Sequence, residues 1–192
     1  VDAPKGGVFS QQVVQGIYNQ NLFTYDNLNI YILRGSGAAG MELTFATLMA
    51  RAWDDMDAMY GYAAQSVRVS ADRLTYRFRL RPGLTFHDGS PLTAEDCAWS
   101  LMTLKEKGHL YIATPLRALI EAVAEAPDLL RVTLSPDRGR TTPLLIAETP
   151  IFSKAWWAGR DFAKTTLEPI LGSGPYKLAK VDAGQTISFE RV

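Results

Sequence analysis

From Arg73 to Leu80 the chain alternates: Leu74, Tyr76, Phe78 and Leu80 are apolar, while Arg73, Thr75, Arg77 and Arg79 between them are basic or polar. A period of two sends successive side chains to opposite faces, so this run predicts a half-buried strand with a basic outer face. Gln65–Val69 predicts its antiparallel partner, joined through the turn Ser70-Ala71-Asp72. Pro82-Gly83 suits the central positions of a type II turn, where glycine accepts positive φ, and His87-Asp88-Gly89-Ser90 predicts a second turn. The period then becomes helical. Ala94, Cys97, Ala98, Leu101 and Leu104 form one apolar stripe. Thr93 is the expected N-cap, with Asp96 three residues on and Leu92 and Cys97 placed to staple the entry. Lys105 and Lys107 oppose the negative end of the helix dipole, and Gly108 ends the helix.

On either side of this block the pattern is weaker. Val8–Val14 predicts a short strand, and Leu43, Ala46, Thr47 and Ala50 recur at helical spacing, predicting a helix over Ala39–Met49. Residues 121–136 predict two strands around a Pro127-Asp128 turn. Residues 141–148 and 153–159 predict short helices, and residues 174–192 a closing hairpin turned at Asp182–Gly184. The fold class is mixed α and β (α+β). The glycine- and proline-bearing stretch Leu167–Pro175 is the expected crossing between subdomains. This divides the chain into an entry segment with a substrate-facing loop (1–40), a subdomain of helices and antiparallel hairpins (41–171) and a return strand pair (172–192). There is no internal repeat and no low-complexity segment.

Composition narrows the function. With 192 residues, 47% of them hydrophobic, the chain can bury a real core in one domain or a domain and a half. Twenty basic residues balance twenty acidic ones, which argues against a nucleic-acid or anionic-membrane surface, since both need a basic excess. No apolar run approaches the roughly 18 residues of a membrane helix. The single cysteine, Cys97, excludes an internal disulfide and a cysteine-based zinc cage. The chain opens on Val1 with no charged-then-apolar leader, which is expected of a processed or excised segment.

The chemical candidates are few. His87, Asp88 and His109, helped by Glu95 and Asp96, would be the members of a metal site. Asp88-Gly89 is ordinary turn chemistry, however, and Glu95 and Asp96 suit a helix N-terminus. His109 lies past the helix end, roughly 20 Å from its start at about 1.5 Å rise per residue. A structural role is therefore expected for both histidines, and a buried structural thiol for Cys97. Gly35–Gly40 reads Gly-Ser-Gly-Ala-Ala-Gly and matches the dinucleotide fingerprint, with Asp54, Asp55 and Asp57 near the expected distance. Against it, Asn27, Asn29 and Arg34 interrupt the preceding run, where a buried parallel strand should be apolar. A dinucleotide-binding oxidoreductase domain on Gly35–Gly40 is the alternative reading. No nucleophile elbow or phosphate-loop lysine is present, so no catalytic residue, cofactor or metal is expected.

A resemblance adds what spacing does not. Residues 80–100, running Leu-Arg-Pro-Gly, Phe-His-Asp-Gly, a proline, Thr-Ala-Glu-Asp and an apolar helix, resemble the signature region of the family 5 extracellular solute-binding proteins. These are the oligopeptide, dipeptide and nickel receptors of bacterial ABC importers. Gly172–Leu178 is similar to the family's Gly-Thr-Gly-Pro-Tyr return segment, with Ser173 in place of threonine. The opening Asp2–Gly7 and the Leu104–His109 stretch look most like the branch for oligopeptide and microcin C uptake. Asn29-Ile30 departs from the Asn-Pro that family members carry near the first substrate-facing loop. The resemblance implies a periplasmic-binding-protein-like fold of type II, present as an N-terminal lobe fragment, since family members are much longer and carry a second lobe. It also implies a non-catalytic, monomeric periplasmic receptor that takes a peptide ligand, docks on a cognate ABC permease of the inner membrane and has no nucleic-acid partner. Ligand is then captured between lobes by hinge closure, with main-chain pairing to the peptide. Asn29, Tyr31, Arg34 and Ser36 are the expected substrate-binding residues, with Arg34 able to take a carboxylate bidentately.

Overall fold

The computed structural model describes residues 25–52, 54–55 and 57–192; the expected strand Val8–Val14 lies outside them. A short 3-10 helix, Met41–Thr44, is followed by strands β1 (Met49–Arg51), β2 (Met59–Gly61), β3 (Ala64–Val69) and β4 (Thr75–Leu80). Helices α1 (Ala94–Lys107) and α2 (Leu110–Leu116) come next, then strands β5 (Leu119–Ala126) and β6 (Leu129–Leu134). Helices α3 (Thr142–Ala147) and α4 (Lys154–Trp157) and the hairpin β7 (Tyr176–Asp182) and β8 (Thr186–Arg191) complete the order. Among the described residues, no helix is long and apolar enough to cross a membrane.

The central unit is an antiparallel sheet in the order β3-β4-β6-β5. Its two hairpins, β3–β4 and β5–β6, are the ones the alternation predicts, and β6 of the second pairs with β4 of the first. In register, Phe78 sits between Val67 and Leu130, and Tyr76 between Val69 and Val132. The apolar set therefore shares one face, and α1 packs on that face over β5 and β6. Phe78, Leu80, Leu130, Val132 and Leu134 are all buried. The opposite face is the expected basic one, but acids are interleaved with it. Arg77 pairs with Glu125 at 2.8 Å, Arg131 with Glu121 and with Glu125, and Arg79 with Asp128 at 2.7 Å.

Helix α1 begins and ends where its sequence signals place it. At its start Asp96 does most of the capping: its Oδ2 accepts from both the backbone N–H and the hydroxyl of Thr93, each at 2.9 Å. The other oxygen, Oδ1, accepts from the backbone N–H of Lys154 at 2.9 Å, so one carboxylate fixes the starts of α1 and α4 together. Ser100 repeats the device one turn on, accepting from the Phe152 N–H at 2.8 Å. Phe152 is the centre of an aromatic cluster, with ring centroids of Tyr31, Phe45 and Phe162 at 5.3, 4.8 and 5.2 Å.

One expected element is different. Ala39–Met49 is not a helix: only Met41–Thr44 coils, as a 3-10 turn, and the chain then runs extended into β1. Tertiary partners claim the backbone groups a helix would have used. The Thr44 carbonyl accepts from Ser173 and Gly174, the Ala46 carbonyl from Ile151, and the Leu48 carbonyl from Tyr62 and Ala64. Ala46 N–H donates to Ser173 Oγ at 3.2 Å. Of the four residues whose spacing imitates a helix only Ala46 is buried, while Leu43 and Ala50 are exposed, so the run has no single apolar face to pack as a helix and its tertiary partners decide its path.

Candidate functional site

Residues 26–38 form a loop folded back on itself and built around Asn27. The Asn27 amide nitrogen donates to the carbonyls of Asn29, at 2.7 Å, and Arg34, at 3.0 Å. Its carbonyl oxygen accepts from the N–H of Asn29 and of Thr166. An asparagine whose side chain satisfies four backbone groups holds a loop that has no ladder of its own. Asn29 ties the loop deeper, donating to the Phe162 carbonyl at 2.9 Å and accepting from Tyr31 N–H at 3.3 Å. Asp26 Oδ1 receives the Ser36 N–H at 2.6 Å, and the Gly35 turn with φ 81° lets the strands of the loop close. A Cβ at Gly35 would lie 2.7 Å from that same Asp26 oxygen.

Between this loop and the start of α2 lies a cavity of about 270 Å³, whose wall includes Asn29, Arg34, Gly37, His109 and Tyr111. His109 is the N-cap of α2: its Nδ1 accepts the Tyr111 N–H at 3.4 Å, while its own N–H donates to the Tyr31 carbonyl at 2.6 Å. The His109 and Tyr111 rings lie 4.3 Å apart, and the Tyr111 side chain stands out into solvent, 63% exposed.

Of the four residues expected to face substrate, the structure brings Asn29 and Arg34 to this wall, but only Arg34 is exposed; Asn29 is fully buried, with both side-chain polar atoms bonded within the chain. Tyr31 turns its ring away into the aromatic cluster. Burial, with the nearby charges of Glu42 and Tyr111 adding to it, pushes its phenol well above the ordinary value, so it stays neutral. Ser36 sits at the loop's outer turn, held by Asp26. Sequence reasoning missed His109 and Tyr111 as wall residues. The available signal was an exposed aromatic and a histidine directly after the glycine that ends α1.

The other candidates have structural partners. His87 Nε2 lies 3.0 Å from the Gly174 carbonyl oxygen, and Cys97 is buried on the inner face of α1, its thiol pushed up by burial and then by the Asp96 charge. Among the described residues, no three His, Cys, Asp or Glu side chains gather as a metal site. Gly35–Gly40 does not open an α-helix, as dinucleotide binding requires, but a four-residue 3-10 turn. Nothing in the structure or in the likenesses below supports the oxidoreductase reading.

The sequence profile of the bacterial extracellular solute-binding proteins, family 5 (middle), matches residues 58–192. The chain is 32% identical over 196 residues to the probable peptide-binding protein YejA of Agrobacterium fabrum, covering 98% of this chain and 30% of that protein. It is 31% identical over 203 residues to the peptidoglycan-binding protein YepA of the same organism, covering 99% of this chain and 31% of that one. The chain thus spans about 30% of the length of the curated relatives it matches. In fold it is similar to the oligopeptide-binding protein AppA of Bacillus subtilis, solved with a nonapeptide. That likeness has a TM-score of 0.71 at 19% identity and covers 88% of this chain and 34% of that one.

Proposed function

We propose, because this chain belongs to the bacterial extracellular solute-binding proteins of family 5, that it is the part of a periplasmic ABC-importer receptor that carries one wall of an oligopeptide site. Family members are binding proteins rather than enzymes, and the chain's role is capture without catalysis. The observation that carries the peptide reading is the likeness along 98% of the chain to a relative named for peptide binding.

Ligand contact is assigned to the loop of Asn29, Tyr31, Arg34 and Ser36. Arg34 stands exposed on the cavity wall, while Asn29, Tyr31 and Ser36 fix the loop behind it. The intact protein would close a second lobe over this wall and present the closed form to a membrane permease, acting as a monomer without nucleic acid. The segments 1–40, 41–171 and 172–192 would be its structural divisions. In support, Tyr25 donates to the Asp182 and Thr186 carbonyls at 2.9 Å each, or shares its proton between them, which seats the return hairpin beside the entry segment.

Isothermal titration of the intact protein with a mixed pool of tri- to decapeptides tests the reading. Saturable heat is expected; dilution heat alone across the pool would remove the peptide assignment.

A further inference from the structure

We propose that the cavity at the Arg34 loop is a carboxylate-recognition site, in which the Arg34 guanidinium, the His109 Nε2–H and the Tyr111 hydroxyl together hold one carboxylate of the ligand. The inference rests on the receptor reading above and deepens it by naming the chemical group the wall accepts.

Charge is the first ground. None of the residues lining the cavity carries a carboxylate, and Arg34 makes no ion pair among the described residues. Arg34 is exposed, and its guanidinium, with five donors, has no hydrogen-bond partner among the described residues. A carboxylate matches that fork with two parallel charge-assisted bonds, whereas a ligand ammonium would meet only like charge.

The second ground is the histidine. Because His109 Nδ1 accepts the Tyr111 N–H, that nitrogen carries no proton, and the neutral ring must hold its proton on Nε2. The cap therefore selects the tautomer that offers a donor on its remaining nitrogen, which has no partner among the described residues. Tyr111 supplies the third donor. Its ring is held against His109 at 4.3 Å, and its hydroxyl has no partner among the described residues. Arg34, His109 and Tyr111 thus line one cavity, and none of its described lining residues carries a competing anion.

A ligand carboxylate has two sources in a peptide, the C-terminus or an acidic side chain. Three probes separate them in titrations of the intact protein: tetraalanine as the free acid, tetraalanine amide, and Ala-Glu-Ala-Ala amide. The free acid, the glutamate-bearing amide or both are expected to bind about ten- to a hundredfold tighter than plain tetraalanine amide. Arg34→Gln is expected to bring them down to the level of the plain amide. The Arg34 guanidinium has no partner to lose among the described residues, so the thermal midpoint of the variant should not move. His109→Asn, which keeps an N-cap acceptor but deletes the Nε2 donor, is expected to narrow the same gap without abolishing it. Equal binding of all three probes, or a gap that survives Arg34→Gln, overturns the carboxylate site and leaves the receptor reading standing. Failure of every probe to bind, while the mixed peptide pool also gives no heat, overturns both.

Discussion

His87 holds Gly174 across 87 residues of chain, its Nε2 3.0 Å from the glycine carbonyl oxygen. A carbonyl only accepts, so Nε2 is the protonated nitrogen. The His87 N–H donates in the same direction, to the Gly172 carbonyl at 2.9 Å, so the turn after β4 grips the segment that leads into β7 by two bonds. His87→Ala is expected to cost about 1–3 kcal/mol by orphaning the Gly174 carbonyl. Gly172→Ala should destabilise as well, because its Cβ would lie 2.1 Å from the Thr44 carbonyl oxygen and 2.9 Å from the His87 ring. Urea midpoints of the two variants check both, and a midpoint unchanged in His87→Ala would remove the grip.

At the start of α1, loss of Thr93 and loss of Asp96 should differ. Thr93→Ala removes one hydroxyl donor and is expected to cost about 1 kcal/mol, the usual value of a cap. Asp96→Ala strands the backbone N–H groups of Thr93 and Lys154 together, at about 1–3 kcal/mol for each unsatisfied group. The order Asp96→Ala worse than Thr93→Ala is the checkable result in chemical denaturation.

Phe78 fills the seam of the sheet between Val67 and Leu130 and is 2% exposed. Phe78→Ala is expected to cost about 3–5 kcal/mol. A loss below about 1 kcal/mol, outside that range, would mean that the face is not packed.

Cys97 should be silent toward thiol reagents in the folded protein. Burial, and after it the Asp96 charge, raises its pKa, which suppresses the reactive thiolate. Labelling by a maleimide is expected to keep pace with global unfolding. Labelling as fast as that of free cysteine would contradict the packing of α1.

On the outer face of the sheet, Arg131 holds Glu121 and Arg77 holds Glu125 below the ordinary carboxylate value. A depressed native pKa favours folding above the unfolded-state value, about 4.3 for glutamate, and that contribution is lost as pH falls through the native values. Stability should therefore drop on acidification below about pH 4.3, and less steeply in Arg77→Gln and Arg131→Gln. Both groups are exposed and screened, so 1 M salt should flatten the same slope. Denaturation curves collected across this pH range make the comparison.

The strand, the two turns and the helix from residue 74 to 108 were legible because local signals agree there: alternation, turn glycines, cap and stripe all specify one path. The run at 39–49 was not, since its backbone carbonyls are claimed by Ser173, Ile151 and Tyr62, partners outside the run that no local spacing encodes. Helix α2 was missed for a different reason. It has seven residues, too few to display a period, and contains Pro115. The cavity was half legible. Arg34 and Asn29 lie on one contiguous loop, but His109 and Tyr111 reach it only because α2 begins against the Tyr31 carbonyl, a contact no local pattern encodes.

The order β3-β4-β6-β5 makes the sheet two hairpins joined along one seam. Each hairpin closes a short loop and needs no residue of the other, so the entropic cost of distant pairing falls on a single event, the arrival of β6 beside β4. That event must span the whole of α1 and α2, and it should set the pace of refolding. Shortening a seam residue such as Leu130 is then expected to slow the folding arm of a chevron, while Val67, on the outer strand, should act mainly on the unfolding arm.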